Sequence, residues 1–156
     1  MAVRGGGRHR GGPRPARALW LAAFDPDLAA LPDGLDTVVG PRGVRLSGGQ
    51  VQRVTAARAL VRRPELLVVD DLSSALDAET ERTLWRRLAE AARTGEGPAT
   101  LLVVSHRRAA LEQAGQVVVL DGGRVAGCGP PGELLATCPP LRRLWDGDRV
   151  DEVAAG

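Results

Sequence analysis

Two glycines stand where a long amphipathic helix should begin, in the segment Leu46-Ser47-Gly48-Gly49-Gln50. A glycine in the first turn of a helix costs up to ~1 kcal/mol relative to alanine, so a helix start with two of them needs a reason. One reason is phosphate binding, because bare amides at a helix N-terminus, with the positive end of the helix dipole behind them, attract phosphate. The alternative is a capping box between Ser47 and Gln50, which requires neither glycine.

Polar side chains end two predicted strands that are otherwise apolar. Asp70 and Asp71 end the segment ELLVVDD, and His106 ends the segment ATLLVVSH. Ligands of α/β sheets bind beyond the carboxyl ends of the strands, so these three residues are predicted to converge on one site. A histidine after a strand is often a structural residue, and from its own position alone this alternative stays open for His106.

The elements that would position these residues alternate between helix and strand. Helical spacing of apolar residues predicts one helix over residues 47–63 and another over residues 80–93. The two apolar runs have no polar face, which is typical of buried strands in a parallel sheet. The segment QVVVLDGGRVAGCG predicts a hairpin that turns at residues 121–123. The sequence therefore predicts an α/β fold with a mainly parallel sheet and flanking helices.

Charge is unevenly spread along the 156 residues, and all 21 basic residues are Arg. Residues 1–17 hold five Arg and no acidic residue, and we expect them to form a disordered Arg/Gly-rich tail. The remainder has 16 Arg and 19 acidic residues, a net charge of −3, which is not the charge of a nucleic-acid-binding domain. We expect the folded domain over residues 18–146 and a frayed tail over residues 147–156.

The sequence predicts neither a disulfide framework nor a membrane span. Cys128 and Cys138 are too few for such a framework, and no His stands at metal-site spacing from them. No apolar run reaches the ~18–20 residues that a transmembrane helix needs.

Three segments in a fixed order, LSGGQVQR, LLVVDDLSSALD and LLVVSH, resemble the second half of an ABC-type ATPase, the nucleotide-binding domain of ABC transporters. The preceding segment FDPDLAALPDGLDTVVGPRG is similar in particular to the exporter-type branch. The resemblance covers about residues 18–146 and implies a partial P-loop-NTPase-like fold. It also implies ATP and Mg²⁺ as cofactors.

The resemblance implies that the helix start binds nucleotide. Ser47, Gly48, Gly49 and Gln50 match the signature loop, which binds the terminal phosphate of an ATP held on the P-loop of a partner domain. Asp70 matches the acidic residue that ends the Walker B strand and holds Mg²⁺, usually through water. A carboxylate suits this position because Mg²⁺ is a hard cation that takes oxygen ligands.

Three further matches concern hydrolysis and the dimer interface. Asp77, in SSALD, matches the D-loop that crosses the interface, and His106 matches the switch histidine that contacts the γ-phosphate. Asp71 stands where the family usually has a catalytic Glu, and its side chain is shorter by about 1 Å, a misplacement that can cost about a hundredfold in rate. Either the hydrolytic site is degenerate or a small backbone shift restores its geometry.

The sequence contains no P-loop motif, because Gly-x-x-x-x-Gly-Lys-Ser/Thr requires a Lys and the 156 residues include none. We therefore expect a C-terminal fragment of an exporter ATPase that does not hydrolyse ATP alone. The implied partners are a second ABC ATPase domain with an intact P-loop and a transmembrane transporter domain, with no nucleic acid. The implied location is cytoplasmic, at the inner face of the cell membrane through a partner.

Two alternative functions stay open. In the first, the chain is a non-catalytic partner that gives its signature loop in trans. In the second, it belongs to an ABC-type ATPase of DNA repair or chromosome structure, which shares the signature and Walker B motifs. The segments PDGLDTVVGPRGVR and VVVLDGGRVAGCG resemble transporters and favour the exporter.

Overall fold

The computed structural model describes residues 15–154, which fall into two compact units. The first unit extends to Leu102 and the second begins at Val103.

The first unit consists mainly of helices, with α1 packed against both α3 and α4. Its elements are α1 (Pro15–Leu21), α2 (Asp25–Ala30), a 3-10 turn (Gly34–Asp36), α3 (Gly48–Leu60), β1 (Leu66–Asp70), α4 (Ala78–Thr94) and β2 (Thr100–Val104), which crosses the boundary. The helix predicted over residues 47–63 therefore ends three residues early. Pro64 follows shortly afterwards and cannot continue a helix.

The helix α4 contributes a large share of the apolar core of the first unit. Its buried apolar residues recur at helical spacing and are Leu84, Trp85, Leu88 and Ala91. Gly95 ends the helix with a φ of 72°, a left-handed conformation that glycine adopts without strain. The turn after α1 adds Phe24, which is 2% exposed, to the buried apolar residues of this unit.

Arg87 ties α4 to the turn between α1 and α2. Its guanidinium pairs with Asp25, donates to the carbonyl oxygen of Trp20 at 2.6 Å and lies 4.4 Å from the centre of the Trp20 ring. The hydrogen bond from Arg87 holds the pKa of the Asp25 carboxyl below its usual value. Arg17 lies against the same ring at 4.3 Å, so two guanidinium groups surround this indole.

The α/β class is confirmed, although the strands do not form one sheet. The described residues contain two sheets of two strands each, β1 with β2 and β3 with β4, in place of the single mainly parallel sheet that the sequence predicted. The prediction that β1 is buried on both faces is wrong for this structure, because Leu66 and Val68 are 51% and 58% exposed while Leu67 between them is buried. Among the described residues, no element covers the exposed face of β1.

The second unit contains a hairpin packed against helices. Its elements are α5 (Arg108–Gln113), β3 (Val117–Asp121), β4 (Arg124–Gly129), α6 (Pro131–Thr137) and α7 (Pro139–Ala154). The buried core consists of Leu111, Val117, Val119, Leu134, Cys138 and Leu141. The predicted hairpin is confirmed: β3 and β4 pair antiparallel, and Gly122 and Gly123 both have positive φ, as a tight two-residue turn requires.

The two predicted tails overlap with helices where the structure describes them. Residues 1–14 of the N-terminal tail lie outside the described residues, whereas Pro15 to Arg17 belong to α1. At the other end, α7 continues through the predicted frayed segment to Ala154. No helix within residues 15–154 is long and apolar enough to span a membrane.

Candidate functional site

The tip of α3 is closed by a complete capping box. The Ser47 hydroxyl oxygen accepts from the Gln50 amide at 3.2 Å, and the Gln50 side-chain oxygen accepts from the Ser47 amide at 2.8 Å. The amides of a first helical turn have no carbonyl partner inside the helix, and the box uses the amide of Gln50. No described residue accepts a hydrogen bond from the amide of Gly48 or Gly49. The capping alternative is therefore realised, and it leaves two donors at the tip.

The two glycines at this tip have different environments. Gly49 is buried, and a Cβ placed on it would lie 2.6 Å from the carbonyl oxygen of Ala75, a contact that no side chain could tolerate. Gly48 is exposed, and a Cβ placed on it would make an ordinary contact of 3.7 Å with the Cβ of Ala75. Packing within the chain thus explains why position 49 is glycine. It gives no reason for glycine at position 48.

Asp27 fastens the first two turns of α3 to α2. One carboxylate oxygen accepts from the Gln50 side-chain amide and the other accepts from the Arg53 guanidinium, each at 2.7 Å. Arg53 is 9% exposed, so this ion pair is largely removed from water. Sequence reasoning missed these two contacts of Asp27 because its partners lie 23 and 26 positions further along the chain. No helical or strand periodicity relates residues that far apart.

The segment from Asp70 to Asp77, here termed the acidic loop, connects β1 to α4. Asp70 and Asp71 are both exposed, and no hydrogen bond or ion pair from another described residue reaches their carboxylates. Asp71 has a φ of 49°, a left-handed conformation that aspartate tolerates better than most residues with a Cβ. Its carbonyl oxygen accepts from the amide and the hydroxyl of Ser74, which holds the loop in a tight turn.

A buried polar group anchors the acidic loop on α4. The Ser73 hydroxyl, which is 1% exposed, donates to the Glu81 carboxylate and accepts from the Trp85 indole N–H at 3.3 Å. A buried carboxylate is costly unless it is hydrogen-bonded, so this arrangement strongly favours one position of the loop. Sequence reasoning missed this anchor, because the only signal for it is the spacing of Glu81 and Trp85 on one helix face.

Asp77 ends the acidic loop as the N-cap of α4. Its carboxylate accepts from the Thr80 amide at 2.9 Å, and the hydrogen bonds from Thr80 lower the pKa of the Asp77 carboxyl below its usual value of 3.8. The side chain is therefore ionised and held in place, and its predicted role at a dimer interface stays a prediction.

A cavity of about 470 Å³ opens beside the acidic loop, within the first unit. Its charged lining residues are Asp25, Asp27, Arg53, Asp77, Glu79 and Arg87. Both arginines are already paired, Arg53 with Asp27 and Arg87 with Asp25. The cavity therefore offers no cation that is ready for an anionic ligand.

His106 belongs to the second unit, two residues beyond the end of β2, and is exposed. Since Asp70 and Asp71 belong to the first unit, the predicted convergence of His106 with them stays a prediction. Within residues 15–154, no three His, Cys, Asp or Glu side chains form a metal site by themselves. An exposed carboxylate such as Asp70 nevertheless suits Mg²⁺, which proteins often hold through one or two carboxylates and the phosphates of the substrate.

The chain is similar to ABC exporters in sequence and structure, although no protein-family model matches it. It is 46% identical to the "Probable multidrug resistance ABC transporter ATP-binding/permease protein YheI" of Bacillus subtilis over 77% of this chain and 20% of that protein. It is 42% identical to the "ATP-dependent lipid A-core flippase" of Thiobacillus denitrificans over 84% of this chain and 22% of that protein. A bacterial Atm1-family ABC exporter with ATP bound matches 88% of this chain and 24% of its own, at 35% identity and a TM-score of 0.70.

The chain belongs to the ATP-binding domains of ABC exporters. The resemblance carried by the signature, Walker B and switch segments is thereby confirmed at the level of the family. The chain spans about a fifth of the length of these two exporter relatives, so the activity of a whole exporter is a matter for proposal. The individual roles of the site residues stay predictions.

The different environments of the two glycines predict different effects of the same substitution in this exporter domain. Gly49→Ala should lower the free energy of unfolding by roughly 1–3 kcal/mol, because the new methyl group overlaps a backbone carbonyl that cannot move without its loop. Gly48→Ala should leave it unchanged or raise it by up to ~1 kcal/mol, because alanine is the better helix former. Denaturant unfolding of the purified chain measures both, and equal effects of the two variants would contradict this account.

The cap at Asp77 predicts a stability effect that depends on pH. Asp77→Ala should lower the free energy of unfolding by about 1 kcal/mol at pH 7. Because the folded-state pKa of Asp77 lies below the unfolded value, the ionised carboxylate stabilises the fold fully above the unfolded pKa. This stabilisation is lost as pH falls through the folded-state pKa, so wild type and variant should converge as pH drops below 3.8.

Thermal or denaturant unfolding over a pH series measures this convergence. Asp77→Asn is the matched control, because asparagine keeps a capping oxygen but carries no titrating group. The interpretation fails if the difference between wild type and Asp77→Ala is the same at neutral pH and at the acid end of the series.

Proposed function

We propose that this chain supplies one side of the composite ATP site of an ABC exporter. In this proposal the α3 tip contacts the terminal phosphate of an ATP held on the P-loop of a second ATP-binding domain. The observation that carries it is Gly48, an exposed glycine with an available amide at a helix tip and with no packing reason to lack a side chain. Bare amides at the positive end of a helix dipole are suited to bind phosphate.

The acidic loop and His106 would act at the ATP site of their own domain, which is distinct from the site that the α3 tip contacts. Asp70 would hold Mg²⁺ through water, and Asp71 would accept a hydrogen bond from the attacking water and orient it towards the γ-phosphate. Mg²⁺, when bound, neutralises charge on the β- and γ-phosphate oxygens. His106 would contact the γ-phosphate and Asp77 would lie at the interface with the second domain. The carboxylates of Asp70 and Asp71 are exposed and form no hydrogen bond or ion pair with another described residue, which supports these roles.

Binding and hydrolysis of ATP at this site would drive transport by a transmembrane domain. The relatives named above are exporters and a flippase, which favours transport over a role in DNA repair or chromosome structure. In this proposal the domain lies at the cytoplasmic face of the membrane, where ATP is available, and is held there by the transmembrane domain.

A negative charge at position 48 should weaken phosphate binding without lowering the stability of the fold. Gly48→Asp should not destabilise the helix, since an acidic residue near a helix N-terminus interacts favourably with the dipole. The same charge should repel the phosphate, so that ATP hydrolysis by the assembled exporter falls roughly 100-fold or more, as when a transition-state donor is lost.

The matched control for this experiment is Gly48→Asn, which has nearly the same shape and no charge. It should retain more activity than Gly48→Asp, while both variants keep the unfolding midpoint of the wild type. If Gly48→Asp hydrolyses ATP at the wild-type rate, the tip does not contact the phosphate and the proposed function is wrong.

A second candidate function is that of a non-catalytic partner, which gives its signature loop to a neighbour but does not hydrolyse ATP at its own acidic loop. The observation that favours it is the short side chain of Asp71, at a position whose backbone is held left-handed by the Ser74 hydrogen bonds. A loop fixed in this way has little freedom to shift and restore the reach of a longer side chain.

These two candidates differ in their response to Asp71→Glu. If reach limits hydrolysis, the added methylene should raise the turnover of the assembled exporter by about ten- to a hundredfold. Turnover with excess ATP measures this, with Asp71→Asn as the control that removes the charge at constant length. An unchanged or lower rate in Asp71→Glu would show that the Asp71 side chain already reaches its position.

A further inference from the structure

The side chain of Gln50 is held at both ends of its carboxamide. The oxygen accepts from the Ser47 amide at 2.8 Å, which is one half of the capping box, and the nitrogen donates to a carboxylate oxygen of Asp27 at 2.7 Å. The first contact lies at the start of α3, whereas the second joins α3 to α2. The capping box at the α3 tip is therefore supported from outside its own helix.

The carboxylate of Asp27 selects one of two orientations of the Gln50 carboxamide. Rotation about the last side-chain bond of a glutamine exchanges its oxygen and its nitrogen. In the rotated orientation the nitrogen of Gln50 would face the Ser47 amide, and two donors would meet. A carboxylate accepts hydrogen bonds and donates none, so Asp27 binds the nitrogen of Gln50 and disfavours its oxygen. Asp27 thus favours the orientation in which the capping box closes.

Arg53 holds the Asp27 carboxylate in the position that this selection needs. Its guanidinium donates to the second carboxylate oxygen at 2.7 Å, so that each oxygen of Asp27 has one partner on α3. The side chains of Arg53 and Asp27 are 10% and 19% exposed, so water competes little for these contacts. Gln50 and Arg53 are three residues apart and therefore neighbours on the surface of α3.

The capping box in turn fixes the direction of the helix tip. With both of its bonds in place, Ser47 has an extended backbone with a ψ of 166°, and α3 begins at Gly48. If the box opened, the first turn would fray and the Gly48 amide would lose its fixed direction. Glycine has the greatest backbone freedom of all residues, so a tip that begins with glycine depends on its cap more than one that begins with alanine.

We propose that Asp27 is a positioning residue for the α3 tip: by selecting the orientation of Gln50, it directs the Gly48 amide at the phosphate of the ATP held on the second domain. The inference rests on the proposed function, because it concerns the same tip. Asp27 itself touches no nucleotide. A misplacement of about 1 Å can cost about a hundredfold in rate, so loss of Asp27 acts on turnover. Affinity for ATP depends mainly on the P-loop of the second domain, so KM changes little.

Hydrogen exchange in the purified chain tests the selection without any nucleotide. In Asp27→Asn the new carboxamide oxygen faces the Arg53 guanidinium, because hydrogen bonds from a charged donor are the stronger ones. The asparagine nitrogen then faces Gln50 and favours the rotated orientation. The Ser47 amide loses its acceptor, and its exchange rate should rise about fivefold, as expected for one lost hydrogen bond.

The matched control for the exchange experiment is Asp25→Asn. This change breaks the ion pair with Arg87 in the same turn, and within residues 15–154 Asp25 forms no hydrogen bond or ion pair with α3. It should leave the Ser47 amide unchanged. The amide of Val61, at the other end of α3, should exchange equally in all three proteins, which excludes a general loosening of the helix. A Ser47 amide that exchanges equally in wild type and Asp27→Asn would overturn the selection of the Gln50 orientation.

Steady-state kinetics of the assembled exporter test the positioning role. Asp27→Asn should lower kcat about tenfold while KM for ATP stays within about twofold. Asp27→Asn combined with Arg53→Met should return kcat to within about threefold of the wild type, because the asparagine oxygen no longer faces a guanidinium and can accept from Gln50. A purely structural ion pair is lost in both variants and predicts no recovery. An effect confined to KM, or an unchanged kcat in Asp27→Asn, would overturn the role.

The outcomes separate this inference from the proposed function. If the exporter does not hydrolyse ATP, or does so at the wild-type rate with Gly48→Asp, the proposed function fails and the positioning role fails with it, while the exchange result still decides whether Asp27 orients Gln50. If Gly48→Asp is impaired and Asp27→Asn is not, only the inference fails. Should Asp27→Asn fail to fold, the double variant, which leaves no unpaired buried charge at this pair, carries the test. A tenfold loss of kcat in the double variant would then overturn the inference.

Discussion

The approach of the α3 backbone to the carbonyl oxygen of Ala75 is the constraint on which the arrangement of the site depends. A single methyl group at position 49 would lie 2.6 Å from that oxygen and would separate the helix from the acidic loop. With the backbone at this distance, the Gln52 side chain reaches both Ser74 and the Ala75 amide. The left-handed turn at Asp71 and the cap at Asp77 belong to the same short loop, so the positions of these two carboxylates depend on how the loop sits on α3 as well as on α4.

From the sequence alone, one explanation covers both glycines of the α3 tip, whereas in the structure their environments differ. Local propensity shows only that each glycine is unfavourable in a helix, so it cannot distinguish a glycine required by packing from one required by a ligand. The distinction comes from Ala75, about 26 residues further along, whose carbonyl oxygen lies against Gly49 and leaves Gly48 exposed. The capping box and the phosphate hypothesis are also compatible, because the box uses the amide of Gln50 and leaves the amide of Gly48 available.

Features with local causes could be predicted, and features that depend on distant partners could not. The hairpin between β3 and β4 follows from a Gly-Gly pair that permits positive φ at both turn positions, and α4 follows from its apolar spacing. The ion pair between Asp27 and Arg53 joins residues that no periodic pattern relates. The exposure of Leu66 and Val68 contradicts the predicted burial. An apolar run indicates that a strand favours burial, but it does not identify the element that would bury it.

The acidic loop assigns different physical environments to its carboxylates, and this limits which of them could handle a proton. Asp77 accepts a hydrogen bond from the start of α4, which holds its pKa low and makes it a poor base. Asp70 and Asp71 are exposed and receive no bond from any other described residue, so their oxygens are available to a metal ion or to water. Of these two, Asp70 still belongs to β1, whereas Asp71 lies beyond it in a left-handed turn that only a short side chain of this type adopts at low cost. The left-handed turn thus favours aspartate at position 71, whereas catalytic reach favours the longer side chain of glutamate. Backbone conformation and catalytic reach therefore favour different side chains at this one residue.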